Sequence, residues 1–129
     1  MLNWPLRFQK FETAFGELQK AVLIKDMDFI QRAGLVQIFE FTFELGWKTM
    51  KDYLFEMENI SVNSPRQVIQ QAVSVGLLED GYEWIDALTV RNQMAHTYSE
   101  QDSLDAESSI KHSYFQLLER LRDKLKAKL

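Results

Sequence analysis

Apolar residues recur at steps of three and four along almost the whole chain, with very little to interrupt them. Only two prolines and five glycines occur among 129 residues, and no alternating stretch has a convincing strand length. The pattern predicts an all-α fold, an antiparallel up-and-down bundle of about five helices joined by short connections. The first helix carries one apolar stripe, formed by Trp4, Phe8, Phe11, Phe15, Leu18 and Val22.

The second predicted helix, from about Asp28 to Met57, carries too many apolar residues for one buried face. A helix that is apolar nearly all round is buried on most sides. In a chain of this size, we expect one side to meet the bundle core and the other to meet a second subunit. These apolar residues are Leu35, Ile38, Phe39, Phe41, Phe43, Leu45, Trp47, Met50, Tyr53 and Leu54.

The third helix is marked at both ends by residues that favour helix termini. Ser64 can cap it, Pro65 fits the first turn, and Gln67 completes a predicted capping box. Gly76 is a favoured residue just past a helix end. The sequence therefore predicts a short helix between these two signals.

The last two helices have weaker start signals. Asp80 with Glu83 predicts a cap pair for the fourth helix, which runs towards Met94. A fifth helix is expected to begin near Asp102 or Ser103 and to run to the last residue. Its predicted stripe is Leu104, Ile110, Tyr114, Leu117, Leu121 and Leu125.

Composition limits the classes of protein to which the chain can belong. It has no cysteine and a net charge of −4, so disulfides and thiolate metal sites are excluded and a reducing, cytoplasmic compartment is expected. No signal-peptide pattern or membrane-length apolar run is visible. The negative charge argues against generic nucleic-acid binding, so RNA contact would need a local basic site or a dimer. We expect one helical domain over residues 1–129.

The segment at the end of the fourth helix holds the side chains best suited to phosphate chemistry. Arg91 is a permanent, forked cation, His96 can exchange a proton near neutral pH, and Tyr98 offers a hydroxyl for modification. On a regular helix Arg91 and His96 lie about 140° apart, whereas Arg91 and Tyr98 lie only about 20° apart. Either the helix ends near His96, or a second copy of the chain completes the site. The alternative is an exposed arginine and a histidine favoured by the helix dipole.

A second candidate group lies on one face of the second helix, where Glu40, Glu44, Trp47 and Lys51 fall together. Its two carboxylates could form an acid/base pair or could hold an arginine in place. The alternative places Glu40 at the rim and pairs Glu44 with Lys48. Neither glutamate is followed three residues later by histidine, so a di-metal bundle is rejected. We expect neither a metal nor a cofactor.

Two further features have mainly structural interpretations. His112 has no acid partner in a recognisable motif and is expected at the surface. The basic residues near the C-terminus first suggest compensation of the helix dipole and secondly a weak RNA-guiding patch. They are Arg120, Arg122, Lys124, Lys126 and Lys128.

Four segments together resemble a known family. Residues 32–48, with the sequence RAGLVQIFEFTFELGWK, are followed by Lys51–Leu54, Ser64–Arg66 and Arg91–Tyr98. They resemble the HEPN family, in the branch long called the nucleotidyltransferase substrate-binding protein. The resemblance covers most of the chain, from the first helix to about Glu100.

The resemblance implies an all-helical bundle that forms homodimers and, in many members, a metal-independent ribonuclease. The family motif is an arginine, often followed by a polar residue, with a histidine after four to six intervening residues. Here it implies that His96 acts as general acid or base and that Arg91 holds the scissile phosphate. Asn92 would orient the phosphate or His96.

The resemblance also implies a partner protein. Members of this branch are usually encoded beside a small MNT-type nucleotidyltransferase, and the pair is similar to a toxin and its antitoxin. The partner transfers AMP to a tyrosine two residues after the motif histidine, where Tyr98 stands. The alternative within the same family is a non-catalytic substrate-binding subunit of a two-component nucleotidyltransferase.

Overall fold

The computed structural model describes residues 2–96 and 99–129, and the regular structure in these residues is entirely helical. A π-helical segment, Ile110–Tyr114, joins the last two α-helices without a break, so they form one continuous helical element. Counted in this way, the described residues form five helical elements, which confirms the predicted all-α bundle. The α-helices are α1 Trp4–Ala21, α2 Phe29–Glu58, α3 Pro65–Ser74, α4 Gly81–Met94, α5 Glu100–Ser109 and α6 Phe115–Lys126.

Helix α2 is the central element against which the others pack. It contacts α1 along its length and also contacts α3 and α5, while α4 packs on α3 and α6 returns to α1. Fully buried aromatic side chains fill the space between these helices. The Phe43 and Trp84 ring centroids lie 5.4 Å apart, so α4 is anchored on α2 through large apolar side chains.

The ends of α2 and α3 follow from capping chemistry. Asp28 and Gln31 form a complete capping box at the start of α2, which the sequence analysis did not identify. At α3 the Ser64 hydroxyl accepts the hydrogen bond of the Gln67 backbone N–H at 3.2 Å, which is the serine half of the predicted box. Gly76 follows α3 with φ of +79°, a left-handed conformation that favours glycine.

The predicted Asp80 cap of α4 is wrong. Asp80 occupies the N-cap position, but its side chain makes no cap hydrogen bond. Its carboxylate instead accepts two hydrogen bonds from Arg120 of α6, at 3.0 and 2.8 Å. Glu83 accepts a third bond from the same guanidinium. The acidic pair therefore ties α4 to α6, and a charged partner outcompetes the local backbone N–H groups.

The start of the fifth predicted helix differs slightly from the expectation. Ser99 caps α5, accepting the backbone N–H of Asp102 at 3.0 Å, so the helix begins at Glu100. Leu104, predicted in the buried stripe, is 41% exposed. Ser103 and Ala106 are buried instead, because small side chains allow α5 to approach α2 closely.

Helix α2 presents apolar side chains on the outside as well as in the core. Ile30 is 80% exposed, Phe41 39% and Phe55 59%. At about 100° per residue, Ile30 lies within about 20° and Phe55 within about 40° of Phe41 around the helix. The three therefore lie on one outer face, called the outer stripe below, which also carries Lys48 and Asp52 between Phe41 and Phe55. Within the described residues, no helix combines the length and apolar character that crossing a membrane would need.

Candidate functional site

Arg91 lies at an unusual position on α4. The buried stripe of this helix is formed by Trp84, Ala87, Leu88 and Met94, and Arg91 falls on the same face in the last turn. Its side chain is 28% exposed. A charged group on a buried stripe requires polar partners, and the guanidinium therefore points towards α2 rather than into solvent.

The partners of the Arg91 guanidinium fix its direction. Its Nη2 lies 3.0 Å from Glu44 Oε2 of α2, and its Nη1 donates to Asn92 Oδ1 at 3.3 Å. The Nε atom is buried and has no hydrogen-bond partner among the described residues. The structure thus brings Glu44, Arg91 and Asn92 together. This arrangement agrees with the interpretation in which an α2 carboxylate holds an arginine in place.

Glu44 receives donors from both helices. Its Oε2 accepts the Trp47 indole Nε1–H at 2.8 Å in addition to Arg91, and its Oε1 lies 3.1 Å from Lys48 Nζ. Partial burial raises the pKa of Glu44, but the hydrogen bonds from Trp47 and Lys48 and the charges of Lys48 and Arg91 outweigh it. The net pKa lies below the usual value, so the carboxylate stays ionised and acts as a fixed anion beside Arg91.

His96 lies just beyond the end of α4. Its backbone N–H donates to Gln93 O at 3.0 Å, and its side chain is exposed. The helix ends at Met94, as one of the sequence alternatives required. The histidine lines a cavity of about 340 Å³ between α4 and α5, together with Val90, Gln93, Met94, Asp102, Asp105, Ala106 and Ser109.

A buried arginine that the sequence analysis did not single out attaches α5 to α2. Arg32 of α2 is only 5% exposed. Its Nη1 donates to Met27 O at 2.7 Å, its Nε donates to Ser103 Oγ at 2.8 Å, and its Nη2 lies 3.4 Å from Glu100 Oε1. These bonds attach the first turn of α5 to the start of α2. The sequence feature that could have identified Arg32 as buried is its position among apolar residues of α2.

The remaining candidates are less closely connected to Arg91. Glu40 is half-buried one turn before Glu44, and it makes no hydrogen bond or ion pair within residues 2–96 and 99–129. Tyr98 lies outside the described residues. His112 is exposed, as predicted. Among the described residues, no three His, Asp or Glu side chains gather in a group that could hold a metal ion.

The basic C-terminal residues are mostly engaged within the bundle. Most of them form ion pairs, and the guanidinium carbon of Arg122 lies 4.6 Å from the centroid of the Phe15 ring, a cation–π contact. These interactions favour the structural interpretation over an RNA-guiding patch. The ion pairs are Arg120 with Asp80 and Glu83, Arg122 with Asp123, Lys124 with Glu79, and Lys126 with Glu12.

Residues 6–127 match the family described as nucleotidyltransferase substrate binding protein like. The chain belongs to this family. The family match covers α2 with Glu44, α4 with Arg91, and His96 just beyond α4, so the ion pair and the histidine lie within the matched region.

One sequence relative and two solved structures are similar to the chain over most of its length. A protein of Haemophilus influenzae named probable ribonuclease HepT is 26% identical over 142 residues, covering 96% of this chain and 97% of that protein. A crystal structure from Thermus thermophilus is 30% identical with a TM-score of 0.84, covering 90% of this chain and 98% of that chain. A Haemophilus influenzae structure, described as the fold of a substrate binding domain of a nucleotidyltransferase, is 25% identical with a TM-score of 0.80. It covers 92% of this chain and 98% of its own.

Proposed function

We propose that the chain is a HEPN-type toxin, a metal-independent endoribonuclease that acts as a homodimer and is neutralised by a partner nucleotidyltransferase. The observation that carries this proposal is the pairing of Arg91 with Glu44 at the end of α4, with His96 just beyond it. A relative named as a probable ribonuclease supports the same activity. The side chains involved supply a phosphate ligand and a proton carrier, which are what transesterification of RNA requires.

The reaction follows from the roles of these side chains. His96 removes the proton from a ribose 2′-hydroxyl, and the 2′-oxygen attacks the adjacent phosphorus. The bond from phosphorus to the 5′-oxygen breaks, and that oxygen receives a proton from the protonated imidazole of His96. Arg91 binds the non-bridging oxygens and stabilises their developing charge, while Asn92 orients the phosphate. The products are a 2′,3′-cyclic phosphate and a 5′-hydroxyl.

The homodimer supplies the second half of the cleft. Ile30, Phe41 and Phe55 form the exposed outer stripe of α2, and burying it would remove apolar surface from water. Glu44 lies about 60° from Phe41 around α2, so a subunit seated on the stripe would approach the Arg91 ion pair. Two copies of the motif would then face one RNA strand.

The partner controls the activity through Tyr98. A nucleotidyltransferase transfers AMP from ATP to the tyrosine hydroxyl, with release of pyrophosphate. The added phosphate is an anion close in sequence to Arg91 and His96, and it would compete with RNA for the guanidinium. The ribonuclease name of one relative supports the proposed activity, and the nucleotidyltransferase in the family description supports the proposed partner.

A second candidate function is a non-catalytic substrate-binding subunit of a two-component nucleotidyltransferase. The description of the Haemophilus influenzae structure favours it. In that case Arg91 would bind a substrate phosphate for the partner enzyme, and His96 would need no proton chemistry. The two candidates differ in whether the chain alone harms a cell.

Controlled expression of the chain in a bacterial host separates the two functions. The toxin proposal predicts growth arrest on induction, with normal growth for Arg91→Ala and His96→Ala. His112→Ala and Arg66→Ala are matched controls, because both native side chains are exposed and neither is among the hydrogen-bond or ion-pair partners of Glu44. Both variants should stay toxic. Normal growth of every strain, the wild type included, with each protein present at the same level, would favour the substrate-binding subunit.

A further inference from the structure

We propose that Glu44 is a positioning residue, which holds the Arg91 guanidinium in the orientation that receives the scissile phosphate. This inference rests on the ribonuclease function proposed above. The contact that carries it joins Arg91 Nη2 to Glu44 Oε2 at 3.0 Å, between α4 and α2. Glu44 touches the arginine and is separated from the reacting atoms by it, so its effect is on geometry.

The Glu44 carboxylate is itself held in place. The Trp47 indole, which is only 7% exposed, donates to Oε2 at 2.8 Å. A large ring packed in the core has little freedom, so its N–H is a fixed donor. Lys48 binds the other oxygen at 3.1 Å. These two donors, one turn further along α2, therefore hold the carboxylate in place independently of Arg91.

The arrangement leaves Arg91 ready for a phosphate. An arginine has five N–H donors in one plane, and in the described part of the chain one Nη2 donor meets Glu44 and one Nη1 donor meets Asn92. Each terminal nitrogen keeps its second N–H. Because Glu44 and Asn92 fix the plane of the guanidinium, these donors have a set direction, which suits two-point binding of phosphate oxygens.

The charges make the positioning role distinguishable from simple electrostatic attraction of RNA. Glu44 carries one negative charge beside the two positive charges of Lys48 and Arg91. Replacing the carboxylate by a neutral group raises the local positive charge and should not weaken RNA binding. Loss of orientation should instead reduce turnover, because a misplaced catalytic group loses rate without losing affinity.

The decisive variant is Glu44→Gln. A glutamine has one acceptor oxygen and an N–H₂ group, so it cannot satisfy Trp47, Lys48 and Arg91 together. We expect kcat on single-stranded RNA of mixed sequence to fall about ten- to a hundredfold, with KM unchanged or lower. Glu40→Gln, which removes the same charge one turn earlier on α2, should retain kcat within about twofold. Trp47→Phe keeps an aromatic side chain of smaller size, removes the indole N–H and should give an intermediate loss.

A second measurement follows the arginine directly and does not depend on cleavage. In the ¹⁵N NMR spectrum of the folded protein, the Arg91 side-chain N–H signals, assigned through Arg91→Lys, should move or broaden in Glu44→Gln and stay unchanged in Glu40→Gln. If wild type leaves RNA intact, the proposed function fails and the NMR comparison still tests the positioning. Full turnover by Glu44→Gln, or unchanged Arg91 signals in it, would overturn the inference.

Discussion

The Nε atom of Arg32 in α2 lies 2.8 Å from the hydroxyl oxygen of Ser103 in α5. This bond joins two residues far apart in sequence, and the same guanidinium binds Met27 O and Glu100. The chain between His96 and Glu100 carries Tyr98. One buried arginine therefore attaches the first turn of α5 to the start of α2.

Replacing Arg32 by Met should lower the free energy of unfolding by about 2 to 4 kcal/mol, because buried hydrogen bonds of a charged group are lost and their acceptors remain. Urea denaturation followed by circular dichroism measures the change. Arg66→Met, at an exposed position of α3, is the control and should change stability by less than about 0.5 kcal/mol. Equal midpoints for the two variants would show that the Arg32 bonds do not stabilise the fold.

Tyr114 is expected to make the stability depend on alkaline pH. Burial, together with the hydrogen bond to Asp86 at 3.0 Å and the charge of that carboxylate, raises the pKa of Tyr114 from 10.0 to about 12. The folded state thus favours the protonated phenol. Its contribution to stability is present below pH 10.0 and is lost as pH rises towards about 12.

Tyr114→Phe tests this linkage. At neutral pH the variant should be less stable than wild type by about 1 kcal/mol, since one partly buried hydrogen bond is lost. That difference should shrink as pH rises above 10.0, measured by urea denaturation at each pH. Tyr82→Phe is the matched control, because Tyr82 is 95% exposed. A difference between wild type and Tyr114→Phe that stays constant up to alkaline pH would contradict the raised pKa.

The helices were largely predictable because periodicity and caps act locally. Ser64 and Gly76 mark the limits of α3 in the sequence as they do in the structure. Asp80 was misassigned because its partner, Arg120, lies on a distant helix. No local sequence pattern indicates that Asp80 pairs with Arg120 instead of capping α4. Likewise, none indicates the bond between Arg32 and Ser103.

The sequence named the residues of the candidate site, whose roles stay predictions, and it predicted the contacts between them only in part. Arg91, Asn92 and His96 were found from the motif, and the end of α4 before His96 was one of two alternatives. The sequence placed Glu44 beside either Lys48 or an arginine, and the structure shows both contacts. The role of Trp47 as a donor to Glu44 depends on a side-chain rotation that spacing does not report.

The outer stripe of α2 predicts the oligomeric state. Light scattering at micromolar concentration should give about twice the chain mass of 15.2 kDa. Phe41→Glu places a charge in the centre of the stripe and should shift the protein towards monomer, because an unpaired buried charge is costly at an interface. Tyr82→Glu, on an exposed surface of α4, should stay dimeric. A wild-type monomer would remove the basis for a composite cleft.

Tyr98 is predicted to be the site of modification by the partner. Co-expression with the cognate nucleotidyltransferase should add one or more AMP units, seen as mass increments on the peptide that contains Tyr98. Tyr98→Phe should block the increments and escape neutralisation, whereas Tyr82→Phe should be modified like wild type. Suppressed toxicity with an unmodified Tyr98 peptide would instead indicate inhibition by direct binding.

The most direct test of the central claim is cleavage of RNA by the purified, unmodified protein in the presence of EDTA. Single-stranded RNA of mixed sequence should be cut to products that carry a 2′,3′-cyclic phosphate and a 5′-hydroxyl, identified by mass spectrometry. Arg91→Ala and His96→Ala should each lose this activity by at least about a hundredfold, while His112→Ala retains it. RNA that stays intact with the folded, dimeric wild-type protein would contradict the ribonuclease assignment.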